Sequence, residues 1–191
     1  YLTNMCDIAL RYGGTIDKFI GDSLMIFFGD PETKGAKEDA AACCNMAMEM
    51  LAFLESNQQH FQETYNFPEK LEVRVGIHNG LCNVGNFGSA QRLDYTAIGR
   101  AVNVASRLEQ AAPKNSILVS SAVHNLIKDK FETSSQIDVK AKGIDKPIAS
   151  YVLTKKTAAD KKIRKEIDGL KVEYDPQKID RETLLKFIDE L

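Results

Sequence analysis

Gly13-Gly14-Thr15-Ile16-Asp17-Lys18-Phe19-Ile20-Gly21-Asp22-Ser23-Leu24-Met25-Ile26-Phe27-Phe28-Gly29 contains two strand-like runs, 15–20 and 23–28, separated only by Gly21-Asp22. A two-residue connection between apolar strands is a hairpin signal, because such turns need a positive φ that Gly adopts without steric cost. Asp22 falls at the tip. On its own a turn-tip Asp reads as a turn former. Here it lies four residues from Lys18 in a hairpin otherwise built from Phe, Ile, Leu and Met. A carboxylate held at such a tip can also ligate Mg²⁺, a hard cation bound through one or two carboxylates plus phosphates.

Before the hairpin, Leu2, Met5, Ala9 and Leu10 recur at helical spacing, and Gly13-Gly14 stop that helix. After it, an Ala/Met-rich stretch over 37–61 predicts one amphipathic helix. Leu71, Val73, Val75 and Ile77 share one face of a strand, with further strands expected at 81–86 and 94–98. A helix over 101–110 ends before Pro113; a strand at 116–120, a short helix at 122–128 and strands at 136–140 and 148–153 follow. Helices and hairpins mixed in this order predict an α+β sandwich.

The bulk numbers exclude several classes. The chain has 191 residues, 43% hydrophobic and 27% charged, which is a globular profile with enough length for one substantial core. Its formal charge of -2 gives no footprint for nucleic acid or an anionic membrane. The four cysteines Cys6, Cys43, Cys44 and Cys82 form no Cys-x-x-Cys pair, so reduced, mostly buried thiols and a cytoplasmic setting are expected. No apolar run reaches the ~18 residues of a membrane span, and no signal peptide opens the chain. A membrane anchor of the full-length protein would lie outside this sequence. From 154 onward lysines crowd and apolar residues thin out, until Leu184, Ile188 and Leu191 restore helical spacing. The expected division is a folded domain over 1–153 and a charged tail over 154–191. The tail ends in a terminal helix, either solvated or binding a partner.

A second block, Asp94-Tyr95-Thr96-Ala97-Ile98-Gly99-Arg100-Ala101-Val102-Asn103-Val104-Ala105-Ser106-Arg107, puts Asn103 and Arg107 one helical turn apart. An Arg fork beside an Asn amide suits phosphate oxygens and a sugar hydroxyl. A surface pairing of Arg107 with Asp94 or Glu109 is equally compatible with the spacing. Other signals are weaker. Gly85 and Gly88 lie between strands rather than opening a helix, a poor phosphate loop. His78 reads as structural, Ser120-Ser121 lack a His/Asp constellation, and Lys140 with Lys142 reads as a solvated basic loop.

Three stretches in register (13–29, 73–80 and 94–109) resemble the motifs of class III adenylyl and guanylyl cyclases, and the resemblance runs to about Leu153. It implies a ferredoxin-like or palm-like sandwich, a mostly antiparallel central sheet flanked by helices, functional as a dimer. It also implies residue roles. Asp22 matches the second of two metal-binding aspartates that hold two divalent cations per site, Mg²⁺ or Mn²⁺. Asn103 matches the residue orienting the ribose, Arg107 the one stabilising charge on the α-phosphate. Lys18 and Thr96 match the purine-reading pair. Lys142, with Lys140 as the alternative, falls where a lysine reaches the β- and γ-phosphates.

Donor–acceptor logic then favours ATP. A Lys ammonium only donates, which suits adenine N1, and a Thr hydroxyl can accept from the N6 amino group. Guanine would set its N1–H against that ammonium, and guanylyl members of the family typically carry Glu and Cys or Ser at these positions. The implied activity is adenylate cyclase: ATP to 3′,5′-cyclic AMP and pyrophosphate, signalling from a homodimer with two shared sites and a regulatory domain elsewhere in the full-length chain. Thr rather than Asp at 96 resembles the subgroup that contains bicarbonate-responsive cyclases.

The chain departs from the pattern in two places. The first metal aspartate belongs to a Phe-x-Asp-Ile-x-Gly-Phe motif on a strand before the first helix, and that motif is not in this sequence. A segment preceding residue 1 in an intact parent enzyme is the expected source, and a truncated, poorly active chain the alternative; without that strand a sheet edge stays open. Leu81 stands where some members place a phosphate-gripping Arg. Guanylate cyclase and a silent cyclase-like dimerisation module are the rivals. The silent module would be expected to lose Lys18, Asp22, Asn103 or Arg107, and all four are present. Diguanylate cyclases carry Gly-Gly-(Asp/Glu)-Glu-Phe where this chain has Gly13-Gly14-Thr15-Ile16-Asp17.

Overall fold

The computed structural model describes residues 1–66, 68–140, 147–154, 163–167 and 170–174. The chain divides into two compact units, Tyr1–Thr154 and Lys155–Leu191.

In the first unit, helix α1 (Leu2–Arg11) buries Met5, Ile8 and Ala9, an i, i+3, i+4 stripe. The hairpin β1 (Thr15–Ile20) and β2 (Ser23–Phe27) follows as expected, with Gly21 at φ +64° opening the turn. Helix α2 (Ala36–Tyr65) has 30 residues, so it runs for about 45 Å. Its length lets it serve two cores. Ala40, Ala41, Cys44 and Ala47 pack with Ile77, Ile117 and Val119, while Met46, Met50, Leu54 and Phe61 pack with α1 and the inner face of the hairpin.

The main sheet contains β3 (Arg74–Ile77), β6 (Ser116–Ser120), β9 (Ile148–Thr154) and β7 (Glu132–Thr133) in that spatial order, with β8 (Ile137–Val139) also paired to β9. Only β3 with β6 is parallel; every pairing to β9 is antiparallel. Strand β6 is apolar on both faces because both are covered. Ile117 and Val119 face α2 and α4 (Ser121–Ile127), and Leu118 faces α3 (Arg100–Ala111) through Val104 and Leu108. Strands β4 (Asn83–Ser89) and β5 (Arg92–Ile98) form a second hairpin. The two hairpins make their own ladders rather than extending the main sheet. This is the α+β sandwich with a mostly antiparallel sheet flanked by helices.

Strand β7 was not expected, since two residues carry no pattern to read. In the second unit, β10 (Ile163–Ile167) pairs antiparallel with β11 (Leu170–Tyr174), where only a charged tail was expected. The terminal helix expected at 179–191 lies outside the described residues. Among the described residues no helix is long and apolar enough to cross a membrane.

Candidate functional site

The ladder between β1 and β2 slips at Asp17: Ile16 pairs with Ile26, but Lys18 pairs with Met25. In a regular strand neighbouring side chains point to opposite faces, whereas a bulge inserts an extra residue and re-aims it. Here the irregularity lets Asp17 and Lys18 reach the same residue of β5. Lys18 Nζ lies 2.8 Å from Thr96 Oγ1, and both Asp17 carboxylate oxygens lie 2.8 Å from that hydroxyl. The Ala97 amide donates to Asp17 Oδ2 at 2.8 Å, and Lys18 Nζ stands 3.1 Å from Asp17 Oδ1. The Asp17 side chain is 0% exposed and that of Lys18 is 42% exposed, while Thr96 as a residue is 4% exposed. A buried carboxylate needs compensation, and three donors supply it.

Two further contacts clamp β5 to the first hairpin. The Tyr95 hydroxyl donates to the Asp30 carboxylate, and its ring lies 6.5 Å from that of Phe27. The hydrogen bond to Asp30 first, then burial, pushes the Tyr95 phenol up.

Strand β5 passes through Gly99 directly into α3, which carries Asn103 and Arg107. Gly76 of β3 fixes that helix. A Cβ at Gly76 would lie 2.2 Å from the Glu109 amide nitrogen and 2.3 Å from the Ala105 carbonyl oxygen, so only glycine admits this approach. The surface pairings open to Arg107 are taken by other arginines. Arg92 lies 3.5 Å from Asp94, and Arg74 lies 3.6 Å from Glu109. Among the described residues Arg107 instead donates to the neutral Gln110 side chain at 2.9 Å. Asn103 is exposed one turn away.

Asp22 is exposed in the turn of the first hairpin, roughly 13 Å of chain beyond Lys18. Its charge is felt by Tyr1, whose phenol is pushed up by burial and then by Asp22. Among the described residues no group of three or more His, Cys, Asp or Glu converges on a point. Asp22 is one hard oxygen donor, which fits a Mg²⁺ held jointly with nucleotide phosphates rather than a site complete in protein ligands. Lys140 is exposed just after β8, and Lys142 lies outside the described residues.

The structure thus joins Lys18 to Thr96, sets Asn103 and Arg107 on one helix, and leaves Asp22 apart at the tip. Asp17 was missed by the sequence reading. The weaker signals resolve as structure. Gly85 and Gly88 are strand residues of β4. His78 Nδ1 sits 2.9 Å from Ser120 Oγ, which is buried and also accepts from the Val123 amide as the N-cap of α4. Burial, then the Arg100 charge, holds the His78 imidazole below its ordinary range. All four cysteines are free. Burial pushes the Cys44 thiol up to about 12; Cys6 and Cys43 are half-buried and Cys82 is exposed, so fewer of the thiols are buried than expected.

Comparison with known proteins bears on the family and the fold. Residues 5–155 match the family described as the adenylate and guanylate cyclase catalytic domain. Over 156 residues the chain is 34% identical to an adenylate cyclase of Anabaena cylindrica, covering 79% of this chain and 30% of that one. The chain therefore spans less than a third of that relative's length. The crystal structure of the adenylyl cyclase CyaB from P. aeruginosa is 42% identical, with TM-score 0.78, covering 89% of this chain and 81% of that one. That of the guanylyl cyclase Cya2 is 28% identical, with TM-score 0.76, covering 84% and 79%. With the sandwich, the Lys18–Thr96 contact and the match over 5–155 taken together, the chain belongs to the adenylate and guanylate cyclase catalytic domain family.

Proposed function

We propose that this chain is an adenylyl-type catalytic domain that converts ATP to 3′,5′-cyclic AMP and pyrophosphate in a homodimer with two shared sites. The observation that carries the reading is the Lys18 Nζ–Thr96 Oγ1 contact, a donor and an acceptor side by side and supported from below by Asp17. Lys18 would donate to adenine N1 and Thr96 accept from the N6 amino group.

Asn103 would hold the ribose so that the 3′-oxygen faces the α-phosphorus. The new O3′–P bond then forms as the P–O bond to pyrophosphate breaks. Arg107, bonded only to a neutral amide among the described residues, would place its fork on the α-phosphate where charge develops. Lys142 would reach the β- and γ-phosphates. Divalent cations, Mg²⁺ or Mn²⁺ and two per site, would be held at Asp22 with the triphosphate and would offset its charge and acidify the attacking hydroxyl.

In this reading the site is shared between subunits, the tip of one, with its exposed Asp22, serving the base-reading cluster of its partner. Exposed apolar side chains on the two hairpins, Phe19, Ile20, Leu93 and Ile98 among them, supply a surface for that pairing. The test is to incubate the chain with ATP or GTP and Mn²⁺ across a protein dilution series and identify the product. Cyclic AMP alone, with specific activity falling on dilution, is expected. No product from a folded dimer that still binds ATP would favour a silent module.

A further inference from the structure

Asp17 belongs to neither the hairpin tip nor the base-reading pair, yet it is a fully buried carboxylate, placed by the ladder slip against the one hydroxyl that faces the purine in the proposed reading. We propose that Asp17 is a specificity-determining positioning residue: it accepts the hydrogen bond of the Thr96 hydroxyl and so leaves Thr96 only a lone pair to offer the base. The inference rests on the reading of Lys18 and Thr96 as the purine-reading pair.

The assignment follows from counting donors and acceptors. A Thr hydroxyl has one proton and two lone pairs, an ammonium has three protons and no lone pair, and an ionised carboxylate only accepts. Lys18 therefore cannot accept from Thr96, so it donates, at 2.8 Å. The one remaining direction for the hydroxyl proton is Asp17, whose oxygens both lie at 2.8 Å. Thr96 keeps one free lone pair. Lys18, with one proton toward Thr96 and one toward Asp17 at 3.1 Å, keeps one free proton. One acceptor beside one donor matches the N6 amino group and N1 of adenine.

A hydroxyl alone would not discriminate, because it can rotate and donate to guanine O6 as readily as it accepts from adenine N6. Asp17 removes that freedom. The Ala97 amide, bonded to Oδ2 at 2.8 Å, keeps the carboxylate from turning away. A site whose polarity is locked rejects the wrong edge strongly, since a buried group is left unpaired.

The test compares kcat/KM for ATP and GTP in the wild type, Asp17→Asn, Thr96→Val and the double variant, with competition of both nucleotides for a fluorescent nucleotide as a second readout. Asparagine is isosteric and retains an oxygen for the Ala97 amide, but its NH₂ can donate to Thr96. The ATP/GTP ratio is expected to fall about tenfold or more in Asp17→Asn. In the Thr96→Val background the same substitution should change the ratio little, because its action runs through the hydroxyl. A ratio that stays at the wild-type value while both nucleotides lose activity equally would overturn the inference and leave Asp17 as support only. A wild type that neither prefers nor turns over ATP would sink the purine reading and this inference with it, a separate result from the first. If Asp17→Asn does not fold, the wild type decides by NMR. A slowly exchanging hydroxyl proton that disappears in Thr96→Val supports the lock, and its absence overturns it.

Discussion

Gly76 and Ala105 hold α3 against the sheet: a Cβ on Gly76 would stand 2.3 Å from the Ala105 carbonyl oxygen. Backbone cannot move aside as a flexible side chain can, so Gly76→Ala must push α3 off β3. The expected cost is about 2 kcal/mol, a Tm fall of roughly 5 °C by thermal melting. Because α3 carries Asn103 and Arg107, the remaining folded enzyme should also lose kcat.

Arg107 is bonded to the neutral Gln110 side chain and lies one turn from Asn103. Arg107→Ala should lower kcat about a hundredfold or more while changing thermal stability little, since among the described residues its side chain bonds only the neutral Gln110 amide. Arg107→Lys should recover little of the loss, because an ammonium lacks the planar fork. Steady-state kinetics on ATP with parallel melting curves check both.

If Asp22 serves the partner's base-reading cluster, two inactive variants should complement. In a mixed dimer of Asp22→Ala and Arg107→Ala, one site carries both lesions and the other carries neither. Random one-to-one mixing makes half the dimers mixed, so activity should return to about a quarter of wild type. Co-expression followed by a cyclic AMP assay reads this, and no recovery in confirmed mixed dimers would place both residues in one subunit's site.

The His78 imidazole is held low by burial and by Arg100, beside the buried Ser120 hydroxyl. The unfolded chain takes up this proton near the ordinary value of about 6.5, the folded chain only at lower pH. Stability from this group is therefore full above about pH 6.5 and is lost as pH falls from there toward the folded value. Melting temperatures between pH 7.5 and 5.5 should drop, and His78→Gln should flatten that part of the slope.

The first hairpin and α3 were legible because their signals are local: a two-residue Gly21-Asp22 connection, and apolar residues at helical spacing behind Gly99. Asp17 was not. Adjacent strand residues alternate faces, and only the slipped ladder brings Asp17 and Lys18 onto one hydroxyl 78 residues from Lys18. The state of Arg107 was equally hidden, since it depends on Arg74 and Arg92 occupying Glu109 and Asp94. The His78–Ser120 contact follows once β3 and β6 are known to run parallel with Ile77 opposite Val119, a register that no local pattern reveals. In the second unit the hairpin signal was present in Asp168-Gly169 between the alternating runs at 163–167 and 170–174. The density of lysines around it argued for a solvated tail instead.

The most direct measurement exchanges the base-reading pair. Wild type and the Lys18→Glu/Thr96→Cys double variant would be assayed side by side for cyclic AMP from ATP and cyclic GMP from GTP. Base reading by Lys18 and Thr96 requires cyclic AMP from the wild type and a variant whose kcat/KM preference swings toward GTP, because a carboxylate at 18 accepts the guanine N1–H that an ammonium repels. A folded variant that still prefers ATP as strongly as the wild type would contradict it, and Lys18 and Thr96 would no longer be the residues that read the base.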